Sequence, residues 1–403
     1  MIFPVQTSAI LFNYMKFFFW ISLFVVFYTF FGYGILLYLL VRIKRLLKPS
    51  KPLRYNFEEM PSCTLIVAAY NEADYMVEKI KNTLALRYPE GKLKFIFVTD
   101  GSTDGTPEIV SAYPEIKLLH DTARKGKISA VHRAIKQVDT SLLVFTDANT
   151  FLNPDAILLL CRHYKDPNVG AIAGEKRVMI EDAADATAGE GIYWKYESKL
   201  KAWDSELYSV VGAAGELFSI RHDLYEPVPS NSVLDDFMIS MRIAEKGFKI
   251  VYEPEAYAQE GSSANITEEL KRKVRIAAGG IQSIIWLRKL LNPLRFPVLS
   301  FQYISHRVLR WTITPFLMIG ALVANGIILF DVKESSLYTL LFICQVLFYL
   351  AAYAGKLLED RKVKVKILFI PYYFSMMNYA VIAGIIRYFF SEQSVIWEKA
   401  LRK

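Results

Sequence analysis

Val98-Thr99-Asp100-Gly101-Ser102-Thr103-Asp104-Gly105-Thr106 carries an apolar, strand-like run straight into carboxylates and glycines. The arrangement returns at Phe145-Thr146-Asp147-Ala148-Asn149-Thr150, and a third acidic stretch follows at Leu234-Asp235-Asp236-Phe237. Carboxylates just beyond strand ends lie where an open α/β sheet gathers its ligand-binding groups. Three of them converging would suit a metal-bound nucleotide diphosphate and a general base.

Outward from this stretch, short apolar runs alternate with helical spacing. Cys63–Ala69, Lys94–Val98, Glu115–Leu119 and Leu142–Phe145 read as strands; Met76–Leu86, Thr106–Ala112 and Ile128–Val138 read as helices. Parallel neighbours need a crossover between them, so the alternation predicts an α/β domain with a mostly parallel, Rossmann-like sheet. Beyond Asp155 the alternation weakens to an extended Gly170–Gly174, a helix over Gly189–Leu207, a Gly-containing turn and strand over Val210–Arg221, and a helix over Phe237–Lys246.

The chain has 403 residues, 53% of them hydrophobic, and its apolar runs cluster at its two ends. Phe17–Val41 contains no charged residue, long enough to cross a hydrocarbon layer of roughly 30 Å. It ends in Arg42, Lys44, Arg45, Lys48 and Lys51, which reads as a retained anchor with the following domain on the cytoplasmic side of the inner membrane. Trp311–Phe330 and Leu337–Gly355 form a membrane hairpin joined by a polar turn at Asp331–Ser336. A basic amphipathic helix over Thr267–Leu291 precedes it and belongs at the membrane surface. For Ile367–Ile386, Pro371, Tyr372, Tyr373, Asn378 and Gly384 favour an interfacial or re-entrant helix, since a further crossing would place Lys399, Arg402 and Lys403 outside. The resulting division is an anchor at 1–47, a cytoplasmic domain at 48–265, interface helices at 266–300 and a membrane region at 301–403.

The net charge of +8 sits largely beside the membrane segments, so anionic lipid explains it better than nucleic acid. Cys63, Cys161 and Cys344 fit neither a disulfide framework nor a zinc spacing and read as buried thiols. No Gly-x-Gly-x-x-Gly turn follows a predicted strand, which disfavours a nicotinamide-dependent dehydrogenase. Arg124-Lys125-Gly126-Lys127, before the helix from Ile128, is a cradle for phosphate oxygens in which Arg124 and Lys127 are the leading cations.

The order of these pieces resembles the membrane-embedded, inverting glycosyltransferases of family 2, which include cellulose, hyaluronan and poly-N-acetylglucosamine synthases. The resemblance implies a GT-A fold, a UDP-sugar donor, Mg2+ or Mn2+, and a glycan or lipid-linked acceptor beside membrane lipid, with an accessory export subunit admitted as a partner. It places the nucleotide on the loop Ala69-Tyr70-Asn71-Glu72, with Glu72 toward ribose or uracil, and on Asp100. Asp147 and Asn149 stand where the family has its DXD metal motif, so the second ligand is a neutral carbonyl oxygen rather than a carboxylate. Asp236 matches the catalytic base, Asp235 its companion or a helix cap, and Gly212 and Gly215 the small-residue turn beneath the acceptor sugar. Processive relatives carry a QxxRW signature further on. Here its Gln, Arg and Trp positions are Arg272, Arg275 and Ile276, so Arg275 keeps the diphosphate contact, Arg272 falls in the acceptor region, and Trp311 is a candidate for the missing stacking group. Loss of that Trp favours transfer of a single residue to a lipid-linked sugar, against the polymer that the family suggests. A reading from another class is a nucleotide-sugar sensor or partner subunit without turnover.

Overall fold

The computed structural model describes residues 3–48, 55–179, 188–261, 266–330, 336–361 and 365–391. The predicted turn at 331–335 and the terminal basic residues Lys399, Arg402 and Lys403 lie outside them.

At the centre is an eight-stranded mixed sheet. In chain order its strands are β1 Cys63–Ala69, β2 Leu93–Asp100, β3 Lys117–Asp121, β4 Leu142–Asp147, β5 Thr150–Leu152, β6 Val169–Met179, β7 Leu217–Arg221 and β8 Lys249–Gly261, and in space they run β3-β2-β1-β4-β7-β6-β8-β5. The pairs β1/β2, β2/β3, β1/β4 and β6/β8 are parallel, whereas β7 and β5 pair antiparallel with their neighbours. Every residue of β1 is buried because both faces are covered. Leu65 and Val67 face a layer with Met76, Ile80 and Leu158, and Ile66 and Ala68 face one with Val131, Ile239 and Met241, as the two-residue period of a strand requires.

The helices of the domain are α3 Ala73–Leu84, α4 Thr106–Ser111, α5 Lys127–Ile135, α6 Ala156–Cys161, α7 Ala188–Leu207 and α8 Asp235–Glu245. The register sets Ala68 opposite Asp147 and Ala69 opposite Thr99, so β1, β2 and β4 end together. That common edge is where the acidic stretches lie.

The N-terminal helix is one rod, α1 Phe3–Phe27, a π-helical turn Tyr28–Gly32 and α2 Tyr33–Leu47. Phe12–Leu47 is 36 residues long, or roughly 54 Å, more than the ~30 Å hydrocarbon layer needs. Its last turn docks on α7: Lys44 donates to the carbonyls of Glu206 (2.6 Å) and Leu207 (2.9 Å), and Arg45 makes two 2.6 Å bonds to the Glu206 carboxylate. A lysine on the terminal carbonyls of a helix satisfies acceptors the helix itself leaves open. Deeper in, Tyr33 donates to Asp204, and His306 bridges Asp204 (2.6 Å) and Glu197 (3.1 Å). The domain is thus held to the apolar helices by buried polar bonds.

The C-terminal part comprises α9 Ile266–Trp286, α10 Pro297–Tyr303, α11 Leu309–Trp311, α12 Thr314–Ile328, α13 Ser336–Asp360 and α14 Lys366–Phe390. Among the described residues three helices are long and apolar enough to cross a membrane, Phe12–Leu47, Ser336–Glu359 and Ile367–Phe390; a fourth span would be the pair Pro297–Trp311 and Thr314–Ile328, bent by 60°. Their outward faces carry exposed Phe24, Leu39, Val323, Leu347 and Tyr379.

Two expectations are corrected here. Residues 367–386 form no interrupted segment but part of the continuous α14: Pro371, inside the helix in its second turn, forfeits its own bond to the Ile367 carbonyl without ending the helix. The break falls instead between α11 and α12. α9, expected at the membrane surface, packs against protein through its small residues: Gly279 abuts Val233 and Leu234, Gly280 abuts Trp311, and Gly384 of α14 abuts Ala277 and Ala278. Cys344 is exposed, unlike Cys63 and Cys161.

Candidate active site

On the first side of the sheet edge is a small pocket formed by Ala68, Ala69, Tyr70, Asp100, Arg124, Gly126, Lys127 and Ala130. The Arg124 guanidinium stacks 3.7 Å from the Tyr70 ring centroid. Asp100 Oδ2 accepts the backbone N–H groups of Lys125 (2.9 Å) and Gly126 (2.6 Å), which fixes the Arg124–Lys127 loop over the strand end. Gly101 makes this possible: its φ is +71°, and a Cβ there would lie 2.8 Å from that of Arg124. Glu72 is not on the pocket wall. Asn71 takes φ +52°, the Glu72 N–H donates to Thr106 Oγ1 at 3.0 Å, and the residue is buried at the start of α3. Asp104 ties two loops together by accepting from the N–H groups of Ala73 and Thr106.

Lys127 is the hinge of the site. Its ammonium donates to Asp147 Oδ1 at 2.7 Å, and Gly215 separates it narrowly from Asp236, since a Cβ at Gly215 would lie 3.4 Å from Lys127 Nζ and 3.3 Å from Asp236 Oδ2. Burial disfavours this ammonium, but Asp147, Asp235 and Asp236 together raise its pKa above the usual lysine range. Asp100, Asp147 and Asp236 therefore meet around one lysine loop.

Asp235 is not an N-cap: α8 begins with it, the cap position is Leu234, and Asp236 Oδ1 accepts the Phe237 N–H at 2.8 Å. Successive helix positions turn by about 100°, so the two carboxylates reach different walls. Asp235 lines a narrow recess with Lys127 and Gly215, whereas Asp236 lines the larger cavity beyond. Burial, then the neighbouring Asp235 charge, raise the pKa of Asp236 to about 7 against the pull of Lys127.

That cavity, about 240 Å³, runs from Asp236 to α14. Gly212, Arg272, Ile276 and Trp311 line it, with Trp194, Lys176, Glu216 and Arg307. Its far wall is Met377, Ala380 and Val381 of α14. Trp311 packs edge-on to Phe237 at 5.5 Å and lies against Gly280, one helical turn beyond Ile276. An indole from α11 thus covers the part of α9 where the family's signature Trp is replaced. Arg272, expected in the acceptor region, lines the cavity, whereas Arg275 is half-buried on α9 outside that lining. Trp194 went unread, because α7 lacks a clear apolar stripe that would mark one face. Gly212 has φ +82°, and a Cβ there would lie 2.1 Å from the Phe237 ring. Gly212→Ala should cost about 2–4 kcal/mol, the sum of left-handed strain and overpacking, read as a fall of several degrees in the melting temperature of the detergent-purified protein.

Asp147 and Asn149 suit a hard divalent cation. Asn149 is 9% exposed and its Oδ1 has no hydrogen-bond partner among the described residues, an oxygen withdrawn from water with its acceptor role unfilled there. Among the described residues no three His, Cys, Asp or Glu side chains are grouped to hold a metal, so phosphate oxygens and water would have to complete the shell, as Mg2+-type sites commonly require.

Residues 64–228 match the model of glycosyl transferase family 2. The poly-beta-1,6-N-acetyl-D-glucosamine synthase of Staphylococcus aureus (strain MSSA476) is 24% identical over 275 residues, 66% of this chain and 66% of that protein, a little under two thirds of its length. The synthase of the same name from Staphylococcus epidermidis is 22% identical over 346 residues, 81% of this chain and 83% of that one. Among solved structures, a mannosyltransferase from Pyrobaculum calidifontis in complex with GDP-Man and Mn2+ superposes with a TM-score of 0.67 at 22% identity, covering 93% of this chain and 99% of that one. The fold is therefore GT-A.

Proposed function

We propose, from the premise that this chain is a glycosyltransferase with a family 2 domain at residues 64–228, that it moves a sugar from a uridine diphosphate donor to a glycan held at the membrane, with inversion, in polysaccharide synthesis. The observation that carries this reading is that Asp236, on the wall of an aromatic cavity reaching α14, lies just across Gly215 from Lys127 of the cationic pocket with Tyr70 and Asp100.

The donor's base would lie against Tyr70 and Asp100, and its diphosphate against Arg124 and Lys127. A divalent cation held by Asp147 and Asn149 would neutralise the leaving diphosphate. Lys127, now paired with Asp147, would turn its charge toward phosphate oxygens. On the other side, Trp311 and Trp194 offer faces on which a sugar ring can stack. Asp236 takes the proton from the acceptor hydroxyl as its oxygen attacks the anomeric carbon, and the bond from that carbon to the diphosphate breaks on the opposite face. The named poly-N-acetylglucosamine synthases support a polymer as product. One observation favours a second reading, transfer of one residue to a lipid-linked sugar: the acceptor cavity's far wall is the apolar Met377, Ala380 and Val381 of α14.

Incubation of purified protein and membrane lipid with labelled UDP-sugars and GDP-Man, with Mg2+ or Mn2+, tests the proposal. Transfer of label from a UDP-sugar is expected, and product length separates polymer from single transfer; consumption of no donor would leave the sensor reading. The pH dependence gives a second test. Asp236 acts ionised, and its environment disfavours the ion, so kcat/KM should rise about tenfold per unit below pH ~7 and level off above it. In Asp235→Asn the repelling charge is gone, the pKa of Asp236 falls, and the acid limb should move to lower pH. An unmoved limb would assign it to another group.

A further inference from the structure

Lys79 lies on α3 with 0% exposure, inside the apolar layer that also holds Met76 and Ile80. Its Nζ donates to the Thr150 carbonyl at 2.6 Å and to Thr146 Oγ1 at 3.3 Å. These acceptors are the two ends of the turn whose middle carries Asp147 and Asn149. The turn is closed on itself as well, because the Thr150 hydroxyl donates to the Asp147 carbonyl at 2.9 Å and the Thr146 hydroxyl to the Glu216 carbonyl at 2.8 Å. One turn further along α3, Asn82 makes two 2.8 Å bonds to Leu152, donating Nδ2–H to its carbonyl and accepting its N–H. Thus a polar stripe on the buried side of α3 grips the whole segment from Thr146 to Leu152. The same helix starts immediately after the Tyr70–Glu72 loop.

We propose that Lys79 is a positioning residue that holds the Thr146–Thr150 turn from beneath, so that the oxygens of Asp147 and Asn149 face a divalent cation and the donor diphosphate. This rests on the functional reading above. A buried ammonium is costly, and a side chain needed only to fill the layer would be apolar. What Lys79 supplies that Met cannot is a donor long enough to bind both ends of one short turn. Asp147 itself is engaged on the open side by Lys127, so the turn is fixed from two directions, by a lysine exchangeable for ligand above and a permanent one below. Partners in the layer behind metal ligands set ligand orientation, and their loss commonly lowers metal affinity 10–100-fold.

The test uses the full chain in detergent, titrated with Mn2+ in the presence and absence of UDP, with free Mn2+ read by electron paramagnetic resonance and the melting temperature recorded alongside. In Lys79→Met the Kd for Mn2+ with UDP should rise at least about tenfold, while UDP binding without metal changes less than about twofold. Thr146→Val, which removes one of the two acceptors without altering charge, should shift the same Kd in the same direction by a smaller factor, and it decides the matter if Lys79→Met does not fold. Wild-type Mn2+ affinity in a folded Lys79→Met, or in Thr146→Val should that be the variant that folds, would overturn the proposal while leaving the glycosyltransfer reading intact. Failure of the wild-type protein to bind Mn2+ and UDP together would contradict that reading, and this proposal with it.

Discussion

Asp236→Asn should lower kcat by at least about 10²-fold, toward the 10⁴-fold that a lost general base can cost, and leave the KM for the donor within about threefold of wild type. The reasoning is geometric. Asp236 faces the larger cavity and not the Tyr70–Asp100 pocket, so on the proposed reading it would meet the attacking hydroxyl and not the nucleotide. Asn keeps the shape and the bond from the Phe237 N–H but cannot accept the hydroxyl proton. Substitution also relieves the crowding of two carboxylates at the first turn of α8, so the variant should melt no lower than wild type. Steady-state kinetics with donor and acceptor varied separately is the check. Equal loss of donor binding and turnover would move the base elsewhere, Asp235 being the nearest alternative.

The second large effect is expected for Asp147→Ala. Two changes coincide: the carboxylate that a cation needs is gone, and Lys127 loses the partner that holds it at 2.7 Å. Lysine freed in this way can still meet a phosphate, so donor binding without metal should persist or strengthen slightly. What should vanish is the gain from added Mn2+, with kcat/KM down about 10²–10³-fold. Calorimetric titration of UDP with and without Mn2+ separates the two terms. A variant that keeps the full metal-dependent gain would show that Asp147 serves only to pair Lys127.

How much of this was legible in the sequence depended on whether a residue's burial matched its chemistry. β1, β2 and β4 could be read because strands covered on both faces are unbroken apolar runs, and the carboxylates that end them follow directly. That Arg124 and Lys127 share one loop before a helix was legible from the Arg-Lys-Gly-Lys run, and the structure sets both on the pocket with Tyr70 and Asp100. Lys79 was not: within Met76–Leu84 a lysine looks like the wet side of an amphipathic helix, and only the return of β5, three residues long, turns that side inward. β8 was missed because it carries Glu253 and Glu260, both buried, whose charges are met by Arg162 and by Lys176. Pairing of that kind is a long-range fact that no local pattern displays. Which face of α9 meets the cavity has the same origin, since it is set by where Gly279, Gly280 and Gly384 permit close approach. α14 was misjudged because a proline and tyrosines were read as interruptions, although Pro371 inside the helix removes one backbone bond and does not end it.

The most direct measurement is an experimental structure of the full chain with UDP and Mn2+. The account predicts uracil against Tyr70 and Asp100, the cation on Asp147 with the diphosphate beside Lys127, and the β-phosphate pointing to the space before Asp236. Density for the nucleotide elsewhere, or a cation bound without Asp147, would contradict it.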